Sequence, residues 1–69
     1  MPLAMAKTGE PNTIRKIGGK DDTKRFLNSL GFVEGGEVTV VNEIAGNVIV
    51  CVKDCRVAID KSMAMRIMI

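Results

Sequence analysis

Sixty-nine residues, 46% of them hydrophobic, suffice for one small domain and are too apolar for a disordered chain. Ten basic and eight acidic residues leave a net charge of +2, no excess with which to hold a polyanion, and no Trp, no Tyr and two Phe leave few platforms for stacking bases. Histidine is absent, which removes the commonest general base and the commonest metal ligand. Residues 1–8 form an apolar lead-in in which Pro2 disfavours a central strand, while Leu3 and Met5 are expected to pack on a core edge. The start Met1–Ala6 is shorter than a signal core and has no basic region before it. Gly9-Glu10-Pro11-Asn12 is a turn cluster. Thr13–Ile17 reads as a short strand with Ile14 inward, ended by Gly18 and Gly19.

Residues 20–41 organise the rest. They read as a helix, a glycine turn and a strand. Asp21 or Asp22 is expected to cap the helix, accepting free N–H groups of its first turn and complementing its dipole. Phe26, Leu27 and Leu30 are placed on the buried face. Asp21 supports the opposite face weakly through Lys24 and Arg25. Gly31 follows Leu30 as a left-handed helix stop, and Gly35 and Gly36 turn the chain into the next strand.

The following strands can be checked against each other. Val38, Val40 and Ile44 share one face with Asn42. Val48, Val50 and Val52 form a wholly apolar face, and Cys55, Val57 and Ile59 alternate with Arg56, Ala58 and Asp60. Because side chains alternate with a period of two, each apolar set must stay on the core side. That condition pairs Val52 with Cys55, Val50 with Val57 and Val48 with Ile59 across a two-residue turn, Lys53-Asp54. It also pairs Ile44 with Val48 and Val40 with Val52 across a three-residue loop, Ala45-Gly46-Asn47. Asp60 then caps one helical turn through Met63, and Arg66–Ile69 is a last strand with Ile67 and Ile69 inward. The fold class is mainly β with one or two short helices, and five short strands at close spacing predict a small closed barrel in a single domain, 1–69.

Few residues offer chemistry. Ser29 and Ser62 have no basic partner nearby in sequence, so no catalytic residue is expected and the chain reads as a non-enzyme. Gly18-Gly19-Lys20 resembles the tail of a phosphate loop, but Ile14 and Asp21 occupy positions where a glycine and a hydroxyl are needed. Cys51 and Cys55 form a C-x₃-C pair that could be a redox or metal site. The strand register puts them on opposite faces, and a zinc site would need two further ligands. Cys55 is therefore expected as a small core residue and Cys51 on the outer face. Met63, Met65 and Met68 are soft enough to suit copper(I), but core and edge packing is the expected role, because methionine fills irregular gaps. Arg15, Lys16, Lys20, Lys24 and Arg25 form a loose basic group that Asp21 and Asp22 interrupt. No metal site or cofactor motif is evident. The longest uncharged stretch, Ile44–Val52, is far below the about 18 residues of a membrane span, and two cysteines without a leader point to the cytoplasm.

Taken together, Gly9-Glu10, the helix ending Phe26-Leu27-Asn28-Ser29-Leu30-Gly31-Phe32, the segment Glu34–Val41, Val57-Ala58-Ile59-Asp60, Met63-Ala64 and Ile67 resemble the FeoA family. These are small cytosolic proteins of bacterial ferrous-iron uptake. Here Glu34-Gly35-Gly36 stands where the family usually has proline and glycine before the strand. The resemblance implies an SH3-like small β-barrel and an accessory role at the FeoB-type membrane transporter with its cytosolic G domain. It implies no catalytic residues, and weak Fe²⁺ association is its only cofactor expectation. The surface expected to meet a partner comprises Lys24, Arg25 and Asn28 on the helix and the Phe32–Val33 turn, an apolar pair beside a glycine. Phe32 equally suits the core. Homo-oligomerisation is left open. The alternative is a nucleic-acid-binding barrel or an iron-dependent-repressor type of SH3-like module, against which the charge balance weighs.

Overall fold

Ile14 is the point at which two sheets meet. In the structure, a computed structural model describing residues 1–69, the elements are a 3₁₀ turn (Leu3–Met5), β1 (Pro11–Thr13), β2 (Lys16–Ile17), α1 (Asp21–Ser29), β3 (Glu37–Ile44), β4 (Asn47–Val52), β5 (Cys55–Asp60), α2 (Lys61–Ala64) and β6 (Ile67–Met68). One sheet has the antiparallel order β1-β3-β4-β5, and β2 pairs with β6 in the other. The Ile14 N–H donates to the Gly36 carbonyl and its own carbonyl accepts from Gly35, both at 2.8 Å. The next residue, Arg15, donates instead to Met68 at 2.8 Å. The strand expected over Thr13–Ile17 is instead two short ones, and the first takes in Pro11 and Asn12, which were expected in a turn, because the chain pairs with β3 from Pro11, leaves it after Thr13 and joins β6 at Lys16. The closed ladder expected from strand count is also absent. β5 ends its sheet without pairing β6, and α2, which connects them, packs against β5 and β4.

The β4–β5 register is the one that alternation demanded: Val52↔Cys55, Val50↔Val57, Val48↔Ile59. Lys53 and Asp54 both have positive φ, +50° and +62°, and form the tight turn despite lacking glycine. The β3–β4 register differs from expectation. Val38 faces Val52 and Val40 faces Val50, Val41 is the extra residue of a bulge, and the loop is the two-residue Ala45-Gly46. Both loop residues have positive φ, +49° and +82°, which suits the twist of a two-residue hairpin. The expected register would have set Val38 opposite Asp54, beyond the end of β4. The bulge instead keeps Val50 and Val52 opposite Val40 and Val38, and reverses the alternation beyond it, so that Val48 lies opposite Glu43. Ile44, expected inward, is consequently 53% exposed at the rim.

One core fills the space between the sheets and α1. Leu3, Ile14, Leu27, Phe32, Val38, Val48, Val50, Val52 and Ile67 are its largest enclosed side chains, and no polar side chain is buried with them. The 3₁₀ turn sends Leu3 into this core and leaves Met5 in solvent, so only one of the two lead-in residues packs as expected. Ile67 is buried and Ile69 is partly buried against the core. Cys55, expected as a small core residue, is exposed, because the first position of β5 lies beside the turn and outside the packed interior.

Candidate functional site

Helix α1 carries most of the candidate surface, and its two ends explain how it is held. Lys20 occupies the N-cap position without a side-chain hydrogen bond, and Asp21 and Asp22 lie inside the first turn. Neither aspartate caps the helix as expected; their charge still suits the positive end of the dipole. At the other end the Phe32 N–H donates to Leu27 at 3.0 Å and Gly31 N–H to Asn28 at 3.0 Å, with Gly31 at φ +106°. This is a Schellman stop, with Phe32 and Leu27 making its usual hydrophobic closure in the core.

That stop decides the fate of the candidate residues. Phe32 is fully enclosed, so its ring completes the core and offers nothing to a partner. Val33, the next residue, is half-buried at the surface. Its carbonyl accepts from Gly36 N–H at 3.0 Å across a turn whose third residue, Gly35, has φ +83°. A Cβ on Gly36 would sit 3.1 Å from the Val33 carbonyl oxygen and 3.2 Å from its Cγ2. The bare glycine thus lets Val33 lean into place.

Lys24 and Asn28, one helical turn apart on α1, join Val33, Glu34 and Ile17 around an open groove of about 270 Å³. Three of the five expected residues therefore converge. Arg25 is exposed next to Lys24 but does not line the groove, and Phe32 is buried in the core. Ile17 and Glu34 are members that sequence reasoning missed. Ile17 read simply as the end of a strand, and Glu34 as a turn residue. Phe26, assigned to the buried face, is 49% exposed. At about 100° per residue, Leu27 and Leu30 centre the buried arc, and Phe26 falls on its edge.

The other chemistry-bearing residues do not converge. Cys51 and Cys55 are free thiols on opposite faces of the sheet, in the adjoining pairs Cys51↔Arg56 and Val52↔Cys55. No three Cys, Asp or Glu side chains stand close enough to hold a metal ion, so the residues present do not fit a built metal centre. Cys51 borders a shallow depression of about 350 Å³ with Glu37, Thr39, Lys53 and Asp54. Gly18 and Gly19 pack against Arg66: Gly18 N–H donates to its carbonyl at 2.7 Å, and a Cβ on Gly19 would come within 3.0 Å of its guanidinium. They form a packing contact, with no cradle for a phosphate. No helix is long and apolar enough to cross a membrane.

The FeoA domain model matches residues 1–69. The chain belongs to the FeoA family. An inferred Fe(2+) transport protein A of Methanocaldococcus jannaschii is 35% identical over 68 residues, covering 99% of this chain and 83% of that protein. A crystal structure of an iron uptake regulatory protein, FeoA, superposes with a TM-score of 0.89 at 26% identity, over 97% of this chain and 91% of the other. The FeoA of Stenotrophomonas maltophilia, crystallised with zinc and described as an SH3-domain protein, superposes with a TM-score of 0.84 at 27% identity, over 99% and 87% of the two chains. The SH3-like fold expected from the FeoA resemblance is therefore the observed one, with its barrel wall open at one seam.

Proposed function

We propose that this chain is an accessory protein of ferrous-iron transport that acts from the cytoplasm by docking on the cytosolic G domain of a FeoB-type transporter. The observation that carries the reading is the groove. It gathers the Lys24 amine, the Asn28 amide and the Glu34 carboxylate around an apolar floor of Ile17 and Val33 in a chain of this family. Such a mixture suits a partner segment that brings one apolar side chain and an acidic group. The one hydroxyl held by a carboxylate, Ser62 on Asp60 at 2.9 Å, belongs to the cap of α2 and lies outside the groove, so binding is the activity proposed.

Titration calorimetry against the soluble domain of such a transporter tests this. Reversing both charges, Lys24→Glu with Arg25→Glu, is expected to weaken binding about tenfold or more, as for charges at an interface. Unchanged affinity would remove both residues from the contact. No heat of binding with the unmodified chain would end the proposal.

A further inference from the structure

The two edges of the main sheet are built differently. β1 is three residues long and begins with Pro11, which has no N–H to offer. Short length and proline are common protections against edge-to-edge pairing. β5 has neither. It is a regular six-residue strand, Cys55-Arg56-Val57-Ala58-Ile59-Asp60, without proline, glycine, lysine or a bulge, and it ends the sheet.

The backbone groups that β5 leaves free can be named. A two-residue turn with both φ values positive closes on a hydrogen-bonded pair, here Val52↔Cys55. Hydrogen-bonded pairs alternate from there, so Cys55, Val57 and Ile59 direct their N–H and C=O groups to β4. The bond from Lys61 N–H to the Gly46 carbonyl, 3.0 Å, continues the same parity. Arg56 and Ala58 therefore turn their backbone groups outward, and Asp60 turns its N–H outward.

The side chains on this edge are self-complementary. Arg56 and Asp60 flank Ala58 symmetrically, two residues on either side. Arg56 is exposed and its guanidinium has no carboxylate partner; the ion pair in the structure is Lys61–Glu43, at 3.5 Å. Asp60 uses one carboxylate oxygen for Ser62 and Met63, which leaves the other free. An antiparallel partner strand of the same sequence, with its two-fold axis at Ala58, would set Arg56 opposite Asp60 twice.

We infer that this chain forms a two-fold dimer with a second copy of itself by antiparallel pairing of β5 through Ala58. Each Ala58 exchanges both backbone groups with its copy, and each Asp60 N–H donates to the facing Arg56 carbonyl. Val57, half-buried in the single chain, lies opposite Ile59 of the second copy, whose side chain is already enclosed in its own core, so the backbone bonds and the Arg56–Asp60 pairs carry the contact. The interface is isologous, so every contact occurs twice and the assembly closes at two. Five residues a side, Arg56–Asp60, against about 20–30 in a standard interface, make the association reversible and concentration-dependent. This edge is separate from the groove on α1, so the dimer and the transporter-docking reading stand or fall independently.

Sedimentation velocity from micromolar to millimolar concentration, at low salt, tests the inference. The unmodified chain is expected to shift from monomer toward dimer. Ala58→Pro removes an N–H that makes no bond within the single chain and is expected to abolish the shift. Arg56→Glu faces Asp60 with a like charge twice and is expected to lower the association constant about tenfold or more. The Ala58 amide of the unmodified chain is expected to exchange with solvent more slowly as concentration rises. A chain that stays monomeric to millimolar concentration overturns the proposal. So does a dimer that resists either substitution, since that dimer uses another face or another register. If Ala58→Pro fails to fold, Arg56→Glu and the Ala58 exchange rate decide between the same outcomes.

Discussion

Asp60 holds its carboxylate against the Met63 N–H at 3.0 Å and the Ser62 hydroxyl at 2.9 Å. The Met63 bond first, and the Ser62 bond second, lower its pKa from the ordinary 3.8. The charged form is thus preferred more in the folded chain than in the unfolded one. Its stabilisation is fully present above pH 3.8 and is lost as pH falls through the lower folded value. Asp60→Asn keeps an acceptor at the cap and removes the titration. The variant is expected to lose less stability than the parent between pH 6 and the acid range, as read by urea midpoints at each pH. This cap was legible because an aspartate followed by one short helical segment has a local meaning. The two phenylalanines show the opposite case. Phe26 and Phe32 look alike in composition, yet one is 49% exposed and the other fully buried. Five residues and a helix stop separate them, and the stop turns the second ring inward.

The stop itself is an element-scale device. Gly31 has φ +106°, and a Cβ there would meet Lys53 and Val52 no closer than 3.5 Å, an ordinary contact. Space is available, so Gly31→Ala tests the backbone alone. It is expected to cost about 1–2 kcal/mol, the penalty of a left-handed conformation for an L side chain. Guanidinium unfolding with an unchanged slope is the measurement; a loss below a few tenths would show that the stop relaxes instead. Gly31 and the β4–β5 register could be read directly, since each depends on neighbours in sequence. The bulge at Val41 could not. Val40, Val41 and Asn42 carry no local mark, and the extra residue is placed where it is because β4 ends at Val52 and the hairpin turn prefers two residues. Ile44 was misassigned for the same reason, being downstream of the shift.

At the scale of the whole molecule, Phe32 ties the helix stop to both sheets through one core. Phe32→Ala is expected to cost about 3–5 kcal/mol, through lost transfer energy and the cavity left behind. A domain of this size has about 3–10 kcal/mol of total stability, so the variant is expected to be marginal or unfolded by circular dichroism at 25 °C. Phe32→Leu, which fills much of the space, is expected to stay folded and to bind the transporter domain like the parent, because this side chain does not reach the surface. The sequence by itself determined the helix α1, the β3–β4–β5 meander, the three-valine face of β4, the stop at Gly31 and the cap at Asp60, since each is set by spacing or by chemistry within a few residues. Membership of the FeoA family was also visible in its scattered motifs. Only the tertiary structure decided that Ile17 and Glu34 join Lys24, Asn28 and Val33 in one groove, that Cys55 faces solvent, and that β5 keeps a free edge. Those outcomes depend on which distant segments compete for the same core volume and the same backbone partners, and that competition is settled in three dimensions.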